Sequence, residues 1–210
     1  MLQYIREAVL EGDQERTREL VESALAEGIE SSSLLNEALI PAMDVVGQEY
    51  ETGIRFLPEM LISAEAMKEA MKILRPILAE AGVAARGRVV LGTVQGDLHD
   101  IGKDLVCMML EGAGFEVIDL GTEVGLEQFV ESVREYHPDI VAMSALLTTT
   151  MIYMPGVVEA LERAGLREAV KIVVGGAPVT QEYADAIGAD GYAADAPGAV
   201  ALVRRLLAKV

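Results

Sequence analysis

The sequence is poor in cysteine, histidine and positive charge, and each shortage excludes something. Its 210 residues include one cysteine, Cys107, so no disulfide can close within the chain and no Cys-rich zinc site can be built. Only 17 basic residues face 34 acidic ones, a net charge of −17. No Lys/Arg cluster offsets that charge, so a phosphate backbone is repelled and nucleic acid is not an expected partner. No apolar run approaches the roughly 18 residues of a membrane span. The first residues, M-L-Q-Y-I-R-E, lack the basic-then-apolar start of a secretory signal. Internal repeats and low-complexity tracts are missing too. A soluble, cytoplasmic chain with no membrane partner is expected. With 51% hydrophobic and 24% charged residues, its composition is that of a globular protein.

Two halves follow different periods. Residues 1 to about 82 hold no convincing strand. Met1–Leu10 reads as a short helix ending in the Glu11-Gly12-Asp13 turn, and Asp13 can N-cap a second helix running to Glu27 before Gly28. Ser32 or Ser33 can cap a third that continues toward Tyr50, with a kink expected at Pro41. A fourth starts near Pro58 and runs to Ala81; within it Met60, Ala64, Met67 and Met71 share one face. These amount to a four-helix bundle over residues 1–84. From Arg88 the pattern becomes strand and helix in alternation. Strands are expected at Val89–Val94, Phe115–Leu120, Ile140–Leu146, Lys171–Val174 and Gly191–Ala194, with helices between and after them. The runs R-V-V-L-G-T-V and I-V-A-M-S-A-L are apolar throughout, as in parallel strands covered on both faces. The fold class is therefore α/β: a helical domain, a linker near Ala81–Gly87, and a doubly wound five-stranded parallel sheet of order 2-1-3-4-5 over residues 88–210.

Ligands on such sheets bind beyond the carboxyl ends of the strands, where strand order reverses. Here that point lies between the first and third strands. The turn after the first is G-D-L-H-D-I-G, within V-Q-G-D-L-H-D-I-G-K-D-L-V, and the turn after the third is S-A-L-L-T-T-T. Gly175-Gly176, after the fourth strand, falls beside them.

His99 admits several readings. In the plainest, Asp97 or Asp100 caps the following helix and the histidine is incidental. A metal phosphohydrolase would need several more histidines, and His137, before Pro138 at a helix end, reads as a surface residue. Gly92, Gly96 and Gly102 lack dinucleotide-binding spacing. Gly102-Lys103-Asp104 lacks the hydroxyl of a phosphate loop, and the acidic residues of a phosphoryl receiver are absent after the third strand. A lone histidine can also be the only protein ligand of a metal whose other ligands come from a macrocycle. Such a ligand wants an acceptor on its other ring nitrogen. Asp97 stands two residues away, and Thr148 or Thr150 could orient it.

D-L-H-D-I-G resembles the D-x-H-x-x-G signature of the cobalamin-binding domains of methionine synthase and corrinoid methyltransferase systems. S-A-L at 144–146 and Gly175-Gly176 supply two further elements in order and in phase with the strands. The helical half resembles that family's cap, most clearly in F-L-P-E-M-L-I-S-A-E-A-M, so the likeness covers nearly the whole chain. It is greatest to the stand-alone corrinoid proteins that serve methyltransferases for methylamines, methanol or methoxylated aromatics. One departure is Asp104, where many relatives carry asparagine.

The resemblance implies a cobalamin or related cobamide, held base-off with His99 as the lower cobalt ligand and Asp97 as its partner. It makes the whole turn cofactor-binding, from Gly96 and Asp97 through Leu98, His99, Asp100 and Ile101 to Gly102. Ser144, Leu146, Thr148, Thr150, Gly175 and Gly176 join the set. Met60 and Met67 read most simply as bundle core, although the family's cap shields the methyl face and would bring them toward the corrin. Cys107 reads as a small buried hydrophobe. The function implied is that of a methyl carrier, a cofactor-bearing subunit rather than a complete enzyme. Its implied partners are a substrate-specific corrinoid methyltransferase, a second methyltransferase acting on tetrahydrofolate, a related pterin or a thiol, and a reductive activator. A cobalamin-binding sensor is the alternative; a mutase cobalamin subunit should lack the helical cap.

Overall fold

In a computed structural model, which describes residues 1–208, the chain divides into two compact units. One comprises Met1–Arg86 with Met108–Gly114, the other Gly87–Cys107 with Phe115 onward.

The first unit is helical. α1 (Leu2–Glu11) ends at Gly12, whose left-handed backbone (φ 74°) sets the turn into α2 (Gln14–Ala26). The Asp13 side chain caps α2 by accepting from the Arg16 amide. The third rod is continuous but irregular: α3 (Ser31–Ser33), a π-helical stretch (Leu34–Leu39) and α4 (Ile40–Glu51). It starts at Ser31, one residue before the serines expected to cap it. Pro41 has no N–H to return to the preceding turn. The chain widens just before it, the Ile40 amide reaching back five residues to the Leu35 carbonyl. The expected kink is thus a π turn. α5 (Leu57–Glu80) carries Pro58 in its first turn, and the Glu59 carboxylate accepts from the Phe56 amide. Ile5, Val9, Leu34, Leu39, Met60, Met67 and Leu74 are buried in this unit. Arg55 fastens the loop between α4 and α5, bonding Glu49, the Leu10 carbonyl and the Ser63 hydroxyl.

The second unit is built on one parallel sheet of β1 (Arg88–Thr93), β2 (Glu116–Asp119), β3 (Ile140–Ser144), β4 (Lys171–Gly175) and β5 (Gly191–Ala193). Its order is β2-β1-β3-β4-β5, as the sequence pattern predicts. Val89, Val90 and Leu91 are all buried, so both faces of β1 are covered. Connections run through α6 (Ile101–Gly112), α7 (Leu126–Tyr136), α8 (Thr148–Met151), α9 (Met154–Arg163), a 3₁₀ turn (Arg167–Ala169) and α10 (Gln181–Ala186); α11 (Ala196–Leu207) closes the unit. Between β3 and β4 the helical stretch is split in two, α8 and α9. On one face Val141, Met143, Ile172 and Val174 pack with Phe129 and Val133 of α7 and Val157 and Leu161 of α9. α6 is shared: its residues from Met108 onward cluster with the helical unit, where Arg75 pairs with Glu111 and Gly112 abuts Met43.

Phe129 is fully buried in the sheet unit's core. Phe129→Ala should lower stability by about 3–5 kcal/mol, read from denaturant unfolding of the sheet unit.

Candidate functional site

β1 and β3 are neighbours paired from Val89↔Ile140 to Thr93↔Ser144, so their carboxyl ends are level. β2 lies on the far side of β1, which makes this edge the point where the order reverses. The Val94 amide donates to the Ser144 carbonyl and the Ala145 amide to the Gly175 carbonyl, bringing three turns together. Gly96 (φ 79°) then folds the chain back, and the Asp97 amide returns to the Val94 carbonyl.

Asp97 is fully buried, and its carboxylate is saturated. Oδ1 accepts from the His99 amide at 3.1 Å and sits 2.7 Å from His99 Nδ1; Oδ2 accepts from the Leu146 amide at 2.8 Å and the Thr150 hydroxyl at 2.6 Å. Burial by itself would push this carboxyl's pKa up. The bonds from Thr150, the Leu146 and His99 amides and the His99 ring outweigh it and hold the group well below the usual carboxylate range. An ionised carboxylate only accepts, so the proton of the short ring contact belongs to His99 Nδ1. The neutral ring then keeps the lone pair on Nε2, and its side chain is 51% exposed. The Thr93 hydroxyl, at the end of β1, donates to the His99 carbonyl at 2.9 Å.

Plain capping therefore fails for Asp97, whose carboxylate is consumed by the histidine and the β3 turn. At Asp100 it is the carbonyl that meets the helix, accepting from the Asp104 amide. Between the two threonines the structure selects Thr150; Thr148 is exposed in the first turn of α8. Ser144 is half-buried at the end of β3.

The glycines divide by cause. A Cβ on Gly176 (φ 118°) would lie 1.9 Å from the Ala145 carbonyl oxygen, and one on Gly175 would lie 3.0 Å from that of Ala193. The fold itself excludes side chains there. Gly102 is different: a Cβ would meet nothing, and its φ is ordinary. Glycine in a helix costs roughly 1 kcal/mol, and no contact within the chain explains it. Around the turn stand apolar side chains open to solvent: Leu98 (68%), Ile101 (79%) and Ile152 (63%), with Leu146, Leu147 and Tyr153 less so. An unfilled position at Gly102, exposed apolar side chains and a half-exposed histidine ring on one turn would suit a broad, flat ligand with a metal at its centre. Among the described residues no three His, Cys, Asp or Glu side chains gather to hold a metal ion, so any metal on His99 would need ligands from outside the polypeptide.

Sequence reasoning missed Thr93, Leu147, Ile152 and Tyr153. The one signal of the last three is that apolar residues fill a turn where polar ones are usual; Thr93 gives none beyond a hydroxyl in an apolar strand. Met60 and Met67, 0% and 1% exposed, are core side chains of the helical unit, as their periodicity suggested. Cys107 is half-buried rather than buried. His137 is exposed, in a left-handed conformation at the end of α7. No helix among the described residues is long and apolar enough to cross a membrane.

Models of B12 binding domains match twice, over residues 1–75 and 87–201. A corrinoid protein of Desulfitobacterium hafniense is 42% identical over all of this chain and 98% of its own length. The chain belongs to the B12-binding corrinoid proteins. A trimethylamine corrinoid protein of Methanosarcina acetivorans is 44% identical to this B12-binding chain, over 96% of it and 94% of the relative. The dimethylamine corrinoid protein of Methanosarcina barkeri is 41% identical, over 99% and 98%. Among solved structures, the methanol:cobalamin methyltransferase complex MtaBC of Methanosarcina barkeri aligns over all of this chain and 80% of its own, with a TM-score of 0.89 at 30% identity.

Thr150→Val keeps the shape and removes one of the four donors to Asp97. Stability of the ligand-free protein should fall by about 1–3 kcal/mol, as measured by chemical denaturation.

Proposed function

We propose that this corrinoid protein carries a methyl group between two methyltransferases, on a cobalamin or related cobamide bound base-off with His99 as the lower cobalt ligand. The observation that carries the reading is the Thr150–Asp97–His99 chain, which engages Nδ1 of a half-exposed ring and leaves Nε2 for a ligand. When bound, a corrinoid supplies a cobalt centre that can accept and release a methyl group.

This chain's residues do the rest. Asp97 holds the proton on Nδ1, fixing the tautomer and keeping Nε2 basic. Thr150 and the Leu146 amide hold Asp97 in turn, so the ring is aimed by groups from both sides of the switch point. Gly102 would leave room for the macrocycle, while Gly96, Gly175 and Gly176 let the turns that would hold it pack closely. Leu98, Ile101 and Leu146 would offer apolar area to a bound ring and exclude water from it. Ser144, Thr148 and the exposed Asp100 offer polar contacts to the ring's amides.

The names of the trimethylamine and dimethylamine relatives, and of the complex with a methanol:cobalamin methyltransferase, support a partner that takes its methyl group from a methylamine or methanol. The second partner passes the methyl to tetrahydrofolate, a related pterin or a thiol, and a reductive activator serves the pair. The chain is then a cofactor-bearing subunit.

Two measurements test this reading. His99→Ala should bind cobalamin at least tenfold more weakly and lose the spectral signature of histidine ligation; an unchanged spectrum rules out His99. In the second, the reduced, cobalamin-loaded protein is mixed with a methylamine or methanol and the matching methyltransferase. It should take up the methyl group, and failure with every such pair rules out the carrier.

A further inference from the structure

Lys103 lies in the first turn of α6, four residues after His99, and its side chain is only 2% exposed. Its ammonium is 2.5 Å from Asp104 Oδ1 and 2.6 Å from Asp119 Oδ2. Burial alone would lower its pKa, but the two carboxylates outweigh that and raise it, so the group stays charged. A cation at a helix N-terminus also opposes the positive end of the macrodipole. A leucine would fill the same space at neither cost. What the lysine adds is a directed bond to the end of β2.

That bond completes a suspension of the histidine turn. On the β3 side, Asp97 ties the turn to Leu146 and Thr150. On the β2 side, Asp119 receives Lys103 through one oxygen and the Gly121 amide through the other. The same loop then bends through Glu123, a non-glycine residue at φ 54°, whose amide donates to the Asp97 carbonyl at 3.1 Å. β2 is an edge strand of four residues, and its four side chains are half-buried or exposed. The Lys103–Asp119 bond therefore joins the first turn of α6 to a lightly packed element.

We propose that Lys103 is a positioning residue for His99: by fastening the start of α6 to the end of β2 it fixes the path of the turn that aims the ring. The proposal rests on the reading of His99 as the cobalt ligand, and one arm of its test does not need cobalt. Lys103→Met keeps the length and the apolar stem. It strands no buried charge, because Asp104 and Asp119 are 51% and 43% exposed, so the variant should fold with a melting temperature close to wild type.

In the ligand-free protein, nitrogen-resolved NMR should show the His99 Nδ1 proton exchanging at least tenfold faster in Lys103→Met, with Lys103→Arg restoring most of the protection. In the reduced, cobalamin-loaded protein, paramagnetic resonance should show the histidine-nitrogen splitting in a smaller fraction of molecules, and cobalamin affinity should drop about tenfold. Unchanged exchange in the ligand-free variant overturns the proposal. So does a lowered melting temperature with unchanged exchange and splitting, which marks a strut of the fold and no more. If wild type itself shows no histidine-nitrogen splitting, the ligand reading of His99 fails, while the exchange measurement still decides the role of Lys103.

Discussion

A carboxylate taken out of water must be given back its hydrogen bonds, and Asp97 receives four. An ionised group with no exposure would otherwise cost several kcal/mol. The donors come from opposite sides of the switch point: the His99 amide and ring from the turn after β1, the Leu146 amide and Thr150 hydroxyl from the turn after β3. Neither turn satisfies the charge alone. Each holds its shape because the other is present, and the level ends of β1 and β3 let them meet. The direction of the histidine ring is thus a consequence of strand order.

The glycines express the same constraint in the backbone. Gly176 passes so near the Ala145 carbonyl that a side chain there would overlap it, which packs the third and fourth turns into one floor. Gly102 and the exposed Leu98 and Ile101 have no such internal reason. Under the proposed function, their explanation lies in what the floor would receive. A fold satisfied with itself would have placed a better helix former at 102 and polar residues at 98 and 101.

Strand order, the two-part organisation and the His99–Asp97 pair were legible in sequence because they rest on local signals. Buried parallel strands read as unbroken apolar runs, and a histidine between two aspartates is conspicuous. Choosing Thr150 over Thr148 was not legible, since it depends on α8 beginning at Thr148 and turning residue 150 inward. The π stretch before Pro41 was half legible: the missing N–H can be read, but whether the chain kinks or widens is settled by packing. Lys103 was invisible as a buried cation because its decisive partner, Asp119, lies beyond a whole helix in sequence. Cys107 was misjudged for a related reason. Its hydrophobic neighbours suggest burial, but it is half-buried, the last residue of α6 to cluster with the sheet unit.

The uncovered rim of Leu98, Ile101, Ile152 and Tyr153 also bears on how copies of this chain meet one another. Exposed apolar side chains invite self-association wherever nothing covers them. The acidic excess, which says nothing about chemistry at cobalt, acts against it: copies that each carry a net charge of −17 repel before their rims can touch. The charge read at the outset as an argument against nucleic acid also opposes contact between copies of the chain.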